Sequence, residues 1–127
     1  MRVALDTNRL TDLFQGDSVL AERLEACDEV FIPLFVLGEI KAGFYGGTQQ
    51  HRNEILLRKL LAKPTVRLLL PRRQTADRYG RLFVQLKRAG TPIPDNDLWI
   101  AALALEHDLP LITRDEHFQR IPQLLLA

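Results

Sequence analysis

Arg2-Val3-Ala4-Leu5-Asp6-Thr7-Asn8 is the stretch on which the fold turns. Three apolar residues stop at three side chains that cap helices, so the segment reads as a short buried strand passing directly into a helix. Leu10, Leu13 and Phe14 continue at helical spacing until Gly16-Asp17-Ser18 breaks the pattern. A parallel strand needs this kind of onward helix to return the chain, and the rest of the sequence repeats the alternation.

A second helix is predicted from Val19 to Cys27, with Leu20 and Leu24 on one side. Val30-Phe31-Ile32 is a strand closed by Pro33, and the next helix carries Val36, Leu37, Ile40 and Phe44. After Gly46-Gly47 a long helix near residues 49–63 lines up Leu56, Leu57, Leu60 and Leu61. Val66 to Leu70 reads as a strand, and residues 74–89 as a helix with Tyr79, Leu82, Phe83 and Leu86 inward, stopped by Gly90. Pro92 and Pro94 lead into the helix Leu98 to His107. A strand from Leu109 to Thr113, a helical turn from Arg114 to Phe118 and a last strand at Leu124 to Leu126 complete the chain. Short apolar strands alternating with helices predict a three-layer α/β/α sandwich with a mostly parallel central sheet. Residues 1–127 show no linker or repeat, so one domain is expected.

Four acids occupy the joints of this pattern: Asp6, Glu39, Asp97 and Asp115. In open α/β sheets the functional crevice lies beyond the carboxyl ends of the strands, where Asp6 and Asp115 fall. Each has a structural reading as well. Asp6 suits an Asx-turn or helix cap. Glu39 suits an exposed helix face, although Leu37 and Ile40 flank it. Asp95 and Asp97 both suit a helix start, with Asp95 the better cap. In Thr113-Arg114-Asp115-Glu116 the capping-box pattern gives Thr113 and Glu116 to structure and frees Asp115, though the two acids could exchange roles. Two like charges about 4 Å apart repel by roughly 4 kcal/mol at an effective dielectric near 20, so converged carboxylates call for a cation. With one cysteine, Cys27, and no spaced pair among His51, His107 and His117, an all-oxygen site favours Mg²⁺ or Mn²⁺ over zinc. Asp6 and Asp97 are then assigned to the principal ion, Asp115 to its support or to a second ion, and Glu39 to the attacking water.

The net charge of +1 hides a division. Residues 1–50 hold 4 Lys/Arg and 8 Asp/Glu, residues 51–90 hold 11 and 2, and residues 91–127 hold 2 and 6. Every candidate ligand is in the acidic flanks. A cationic surface beside an anionic pocket suits a phosphodiester polymer, with backbone-phosphate contacts expected among some of Arg52, Arg58, Lys59, Arg72, Arg73, Arg78 and Arg81. The alternative is a solvated helix face. No span approaches membrane length and Val3-Ala4-Leu5 is too short for a signal peptide, so a cytoplasmic location without membrane contact is the expectation.

The pieces Leu5-Asp6-Thr7-Asn8, Glu39-Ile40-Lys41-Ala42-Gly43, Asp97-Leu98-Trp99-Ile100-Ala101-Ala102 and Thr113-Arg114-Asp115 with Phe118 resemble, in order, the PIN-domain family and its VapC-like toxins. The resemblance implies a Mg²⁺- or Mn²⁺-dependent endoribonuclease, a homodimer and a cognate antitoxin whose C-terminal segment covers the site. Carried over by position, the catalytic and metal-binding residues are Asp6, Glu39, Asp97 and Asp115, with Asn8 and Thr113 in support. Arg9 departs from the usual apolar residue, and it suits a pocket carboxylate, an RNA phosphate or a surface ion pair. Apolar surface near Leu10, Leu13 and Phe14 is a candidate for antitoxin or dimer contact.

Other readings are an RNA-maturation nuclease of the same family, a PIN-like RNA-binding protein without catalysis and a phosphoacceptor receiver module. The receiver needs a late lysine, and no Lys follows Lys87. A haloacid-dehalogenase-type phosphatase needs a second Asp where Asn8 stands.

Overall fold

A computed structural model describes all of residues 1–127. The chain runs β1 (Arg2–Leu5), α1 (Thr7–Phe14), α2 (Ser18–Glu25), β2 (Glu29–Pro33), α3 (Leu34–Gly46), α4 (Gln50–Leu61), β3 (Val66–Leu69), α5 (Arg73–Ala89), α6 (Asp95–Glu106) and β4 (Leu111–Ile112). A 3₁₀ turn over Glu116–Arg120 follows. The four strands make one parallel sheet in the order β3-β2-β1-β4, with Ala4 opposite Phe31 on one side and Leu111 on the other. No helix is long and apolar enough to cross a membrane.

This order fixes where a site can form. The chain steps from β1 to β2 to β3 in one direction and then crosses back over the sheet to β4. Right-handed crossovers therefore place α1 to α4 on one face and α5 with α6 on the other, which gives the three layers. The direction of travel reverses between β1 and β4, and the crevice of such a sheet opens at that reversal, beyond the strand ends. Asp6 leaves β1 and Thr113 leaves β4 at this place.

Burial follows the apolar pattern. Val3, Ala4 and Leu5 are buried in β1, Val30, Phe31 and Ile32 in β2, and Leu111 and Ile112 in β4. α6 is the most enclosed helix: Leu98 and Ile100 through Ala104 are all buried, so its only polar stretch before the last residue is the first turn with Asp95, Asn96 and Asp97. Trp99 locks that turn in place by stacking on Tyr79 of α5 (4.0 Å between centroids) and Phe35 of α3 (5.5 Å).

Several boundaries differ from the sequence expectation. α6 begins at Asp95 rather than Leu98, because Pro94 already occupies its N-cap. β4 is only two residues long, and Leu124–Leu126 contributes a single bridge, Leu126 to Leu111, rather than a strand. Phe83 is largely exposed, although the helical pattern turned it inward. Gly90 ends α5 in the left-handed conformation (φ 72°) that favours glycine. Leu10 and Phe14 are core residues, so they are not available to a partner; Leu13 is half-buried.

Thr75 is buried although polar, because its hydroxyl is fully used. It accepts from the Arg72 amide at 2.9 Å and donates to Glu106, tying the start of α5 to the end of α6. Thr75→Val leaves the amide and the Glu106 carboxylate without this partner. An expected loss of about 1–3 kcal/mol in a urea unfolding titration follows.

Candidate metal centre

The side chains at the sheet reversal are held by short-range contacts that the backbone sets up. Asp6 caps α1, its Oδ1 accepting from the Thr7 amide at 2.8 Å, while its Oδ2 accepts from the Thr113 hydroxyl at 2.6 Å. The Asp6 amide donates to the Ile112 carbonyl at 3.0 Å. Thr113 also accepts from the Asp115 amide at 3.0 Å, so one hydroxyl positions two of the four acids. Asn8 Oδ1 accepts from the Arg114 amide at 3.3 Å, a second tie between the exits of β1 and β4. The two polar residues singled out as supports, Asn8 and Thr113, thus both act on the backbone or side chains around the acids.

Asp97 enters from the first turn of α6. Its Oδ2 lies 3.0 Å from His117 Nδ1, which is itself 3.1 Å from Asp115 Oδ1. Asp115 caps the 3₁₀ turn by accepting from the His117 amide at 2.9 Å. One donor atom from each of Asp97, Asp115 and His117 falls within 4.8 Å of the others. Glu39 reaches the same edge from the exposed side of α3, where the Thr7 hydroxyl donates to its Oε1 at 2.8 Å.

The electrostatics identify the strained members. Burial pushes the Asp6 carboxyl above its ordinary pKa, against the hydrogen bonds from Thr113 and Thr7 and with the added repulsion of Asp97 and Glu39. Burial likewise raises Asp97, opposed by the His117 hydrogen bond and reinforced by Asp115 and Glu39. Asp97 feels both Asp115 and Glu39, and Asp6 feels Asp97, so all four acids lie on one electrostatic network. No Lys or Arg forms an ion pair with any of the four. A divalent cation fits this set: the donors are hard oxygens with one imidazole, and their own charge is what destabilises them.

The cations expected near the acids are placed elsewhere. Arg9 pairs with Asp12 at 2.9 Å and lies 3.8 Å from Asp17, an ion pair as in the third of its readings but half-buried rather than on the surface. Arg114 holds Asp12 through both its oxygens and lowers that carboxyl's pKa. Arg72 pairs with Glu106 at the far end of α6, nine residues or about 14 Å from Asp97 along the helix. Arg52 donates to the Phe14 carbonyl at 3.0 Å, and Arg81 pairs with Asp77. Arg58, Lys59, Arg73 and Arg78 are exposed and without an ion pair.

Some assignments change with the geometry. Asp95 does not cap α6; it takes a hydrogen bond from the Tyr79 hydroxyl at 2.6 Å, because Pro94 stands at the cap. Glu116 is exposed, and Asp115 rather than Thr113 caps the 3₁₀ turn, so the expected capping box does not form. His117 and Thr7 join the site without having been singled out in the sequence. Their signals are position alone, two residues after Asp115 and one after Asp6, where a turn brings neighbours onto the same edge.

Comparison with known proteins agrees with this frame. The PIN domain family matches residues 3–124. Ribonuclease VapC1 of Haemophilus influenzae is 34% identical over 125 residues, covering 94% of this chain and 92% of the relative. Among solved structures, VapBC-1 from nontypeable Haemophilus influenzae superposes with a TM-score of 0.87 at 31% identity, over 100% of this chain and 97% of the other. VapBC2 from Rickettsia felis, bound to a DNA fragment from its promoter, gives a TM-score of 0.91 at 26% identity, over 100% and 98%. The chain belongs to the PIN-domain family, among its VapC ribonucleases.

Proposed function

We propose that the four acids at the sheet reversal are the catalytic centre of a divalent-metal-dependent endoribonuclease, the toxin of a toxin–antitoxin pair. The single observation that carries this is the convergence at one sheet edge of buried Asp6 and half-buried Asp97, both raised in pKa by desolvation and by neighbouring carboxylates, with no Lys or Arg paired to either. Asp6, Asp97 and Asp115 would hold Mg²⁺ or Mn²⁺. A cation held there supplies charge neutralisation at the scissile phosphate and a more acidic water. Glu39 has one oxygen occupied by Thr7 and the other without a hydrogen-bond partner, which suits it to orient the attacking water and accept its proton. Thr113 and Asn8 keep the acids in register.

RNA is the substrate, with Arg58, Lys59, Arg73 and Arg78 the free cations for its backbone. The VapBC complexes support an antitoxin partner for this chain, and a homodimer and a cytoplasmic location complete the proposal. In purified form the protein should cleave RNA endonucleolytically with Mn²⁺ or Mg²⁺ and stop on addition of EDTA. Cleavage that persists in EDTA would overturn the metal-dependent reading.

A further inference from the structure

His117 is the one nitrogen donor among the acids. Its Nδ1 stands 3.0 Å from Asp97 Oδ2 and 3.1 Å from Asp115 Oδ1. When both carboxylates are ionised they can only accept, so a single Nδ1 proton is shared between two acceptors. A spacing of about 3.0 Å is also that of adjacent corners around an octahedral ion with ligands at about 2.1 Å. The ring's backbone is fixed by its amide's bond to Asp115, and its side chain is 38% exposed, so the ring stands at the mouth of the site.

We infer that His117 is a nitrogen ligand of the cation held by Asp97 and Asp115, and that this donor tilts the site from Mg²⁺ toward first-row transition ions such as Mn²⁺. The inference rests on the metal centre proposed above. Mg²⁺ is bound through oxygen and retains its waters, whereas first-row transition ions, Mn²⁺ among them, accept an imidazole nitrogen more readily than Mg²⁺ does. An imidazole added to the carboxylates therefore makes a site that distinguishes two ions an all-carboxylate site would treat more alike.

The test is pulsed electron paramagnetic resonance of the full chain loaded with Mn²⁺ alone, using protein with natural-abundance and with ¹⁵N-labelled histidine. The wild-type protein should show directly coordinated imidazole nitrogen, changing with the label. In His117→Ala, checked for native circular dichroism, that signal should vanish while Mn²⁺ still binds. Competition titrations should then show Mn²⁺ affinity falling roughly 10-fold or more, the range found even for partners one step further from a metal, with a smaller loss for Mg²⁺. Bound Mn²⁺ without nitrogen coupling in the wild type overturns the inference and leaves the nuclease reading intact. Coupling that survives in His117→Ala also overturns it. Failure of the wild type to bind Mn²⁺ at all overturns both. Should the variant not fold, the labelled wild-type spectrum decides alone.

Discussion

Asp97→Asn should reduce kcat/KM for RNA cleavage by more than about 100-fold, beyond what the loss of an outer-shell metal partner costs. Asp97 is the residue common to both parts of the centre. On one side it meets His117 and the charge of Asp115; on the other its charge is felt by Asp6. The substitution keeps the shape of the side chain and removes the charge that a cation needs. Its effect on folding should be small, because two terms oppose each other. The first turn of α6 loses a favourable helix-dipole interaction of about 0.3–1 kcal/mol, while a half-buried, repelled carboxylate is neutralised. Asp95→Asn is the matched control: same turn, same chemistry, but an exposed carboxylate bonded to Tyr79 rather than to the cluster. It should leave cleavage near wild type. Near-wild-type cleavage by Asp97→Asn would remove the residue from the mechanism.

That pair of neighbours shows what a sequence can and cannot reveal. The order of strands and helices is legible because each apolar run ends at a residue with a local reason to stop: Asp6, Pro33, Gly90 and Pro94. The acids are legible as a group because they recur where strands open toward helices. Which of two adjacent acids serves the site is less so. Asp95 against Asp97 depends on Pro94 taking the cap, and Asp115 against Glu116 on Thr113 spending its hydroxyl on Asp6, 107 residues away. The basic middle misleads for a similar reason. Counted locally its cations lack partners, yet Lys63 reaches Glu25, Arg67 reaches Glu29 and Arg72 reaches Glu106, each 34 or 38 residues distant. The acidic flanks and the basic segment are partly each other's counter-charge, joined by the fold. His117 is invisible in the sequence because its partner Asp97 lies 20 residues earlier, and no spacing rule connects a helix start to a turn on another strand's exit.

Asp6→Asn should invert its stability ranking against the wild type when metal is added. In the metal-free state the folded protein holds the Asp6 proton more tightly than the unfolded chain does, since the folded pKa is raised above 3.8. A raised carboxyl contributes stability below the unfolded pKa and loses it as pH rises through the folded one. At pH 7 the wild type therefore carries a buried charge that the variant lacks, and metal-free Asp6→Asn should melt at the higher temperature. The difference should shrink on acidification, as the wild-type carboxyl takes up its proton. Packing is retained if the amide oxygen takes the Thr7 amide and the NH₂ donates to Thr113, whose hydroxyl then turns. Other carboxylates run the opposite way. Asp12 is lowered by Arg114, and Glu106 is lowered against its burial by Thr75 and Arg72, so both add stability at neutral pH that is lost on acidification. Because these groups are the same in both proteins, the difference between the two melts isolates Asp6. Mn²⁺ at 100 times its dissociation constant should add about 2.7 kcal/mol to the wild type, or roughly 10 °C in Tm for a chain of this size. The variant, missing a ligand, should gain much less, so the wild type becomes the more stable of the two. Since the ligands must be ionised, the metal's contribution grows with pH, opposite in sign to the metal-free trend. A metal-free variant no more stable than the wild type at pH 7 would show that the fold does not penalise the Asp6 charge, whether by burial or by its neighbours. Equal gains with Mn²⁺ would show that Asp6 does not hold the ion.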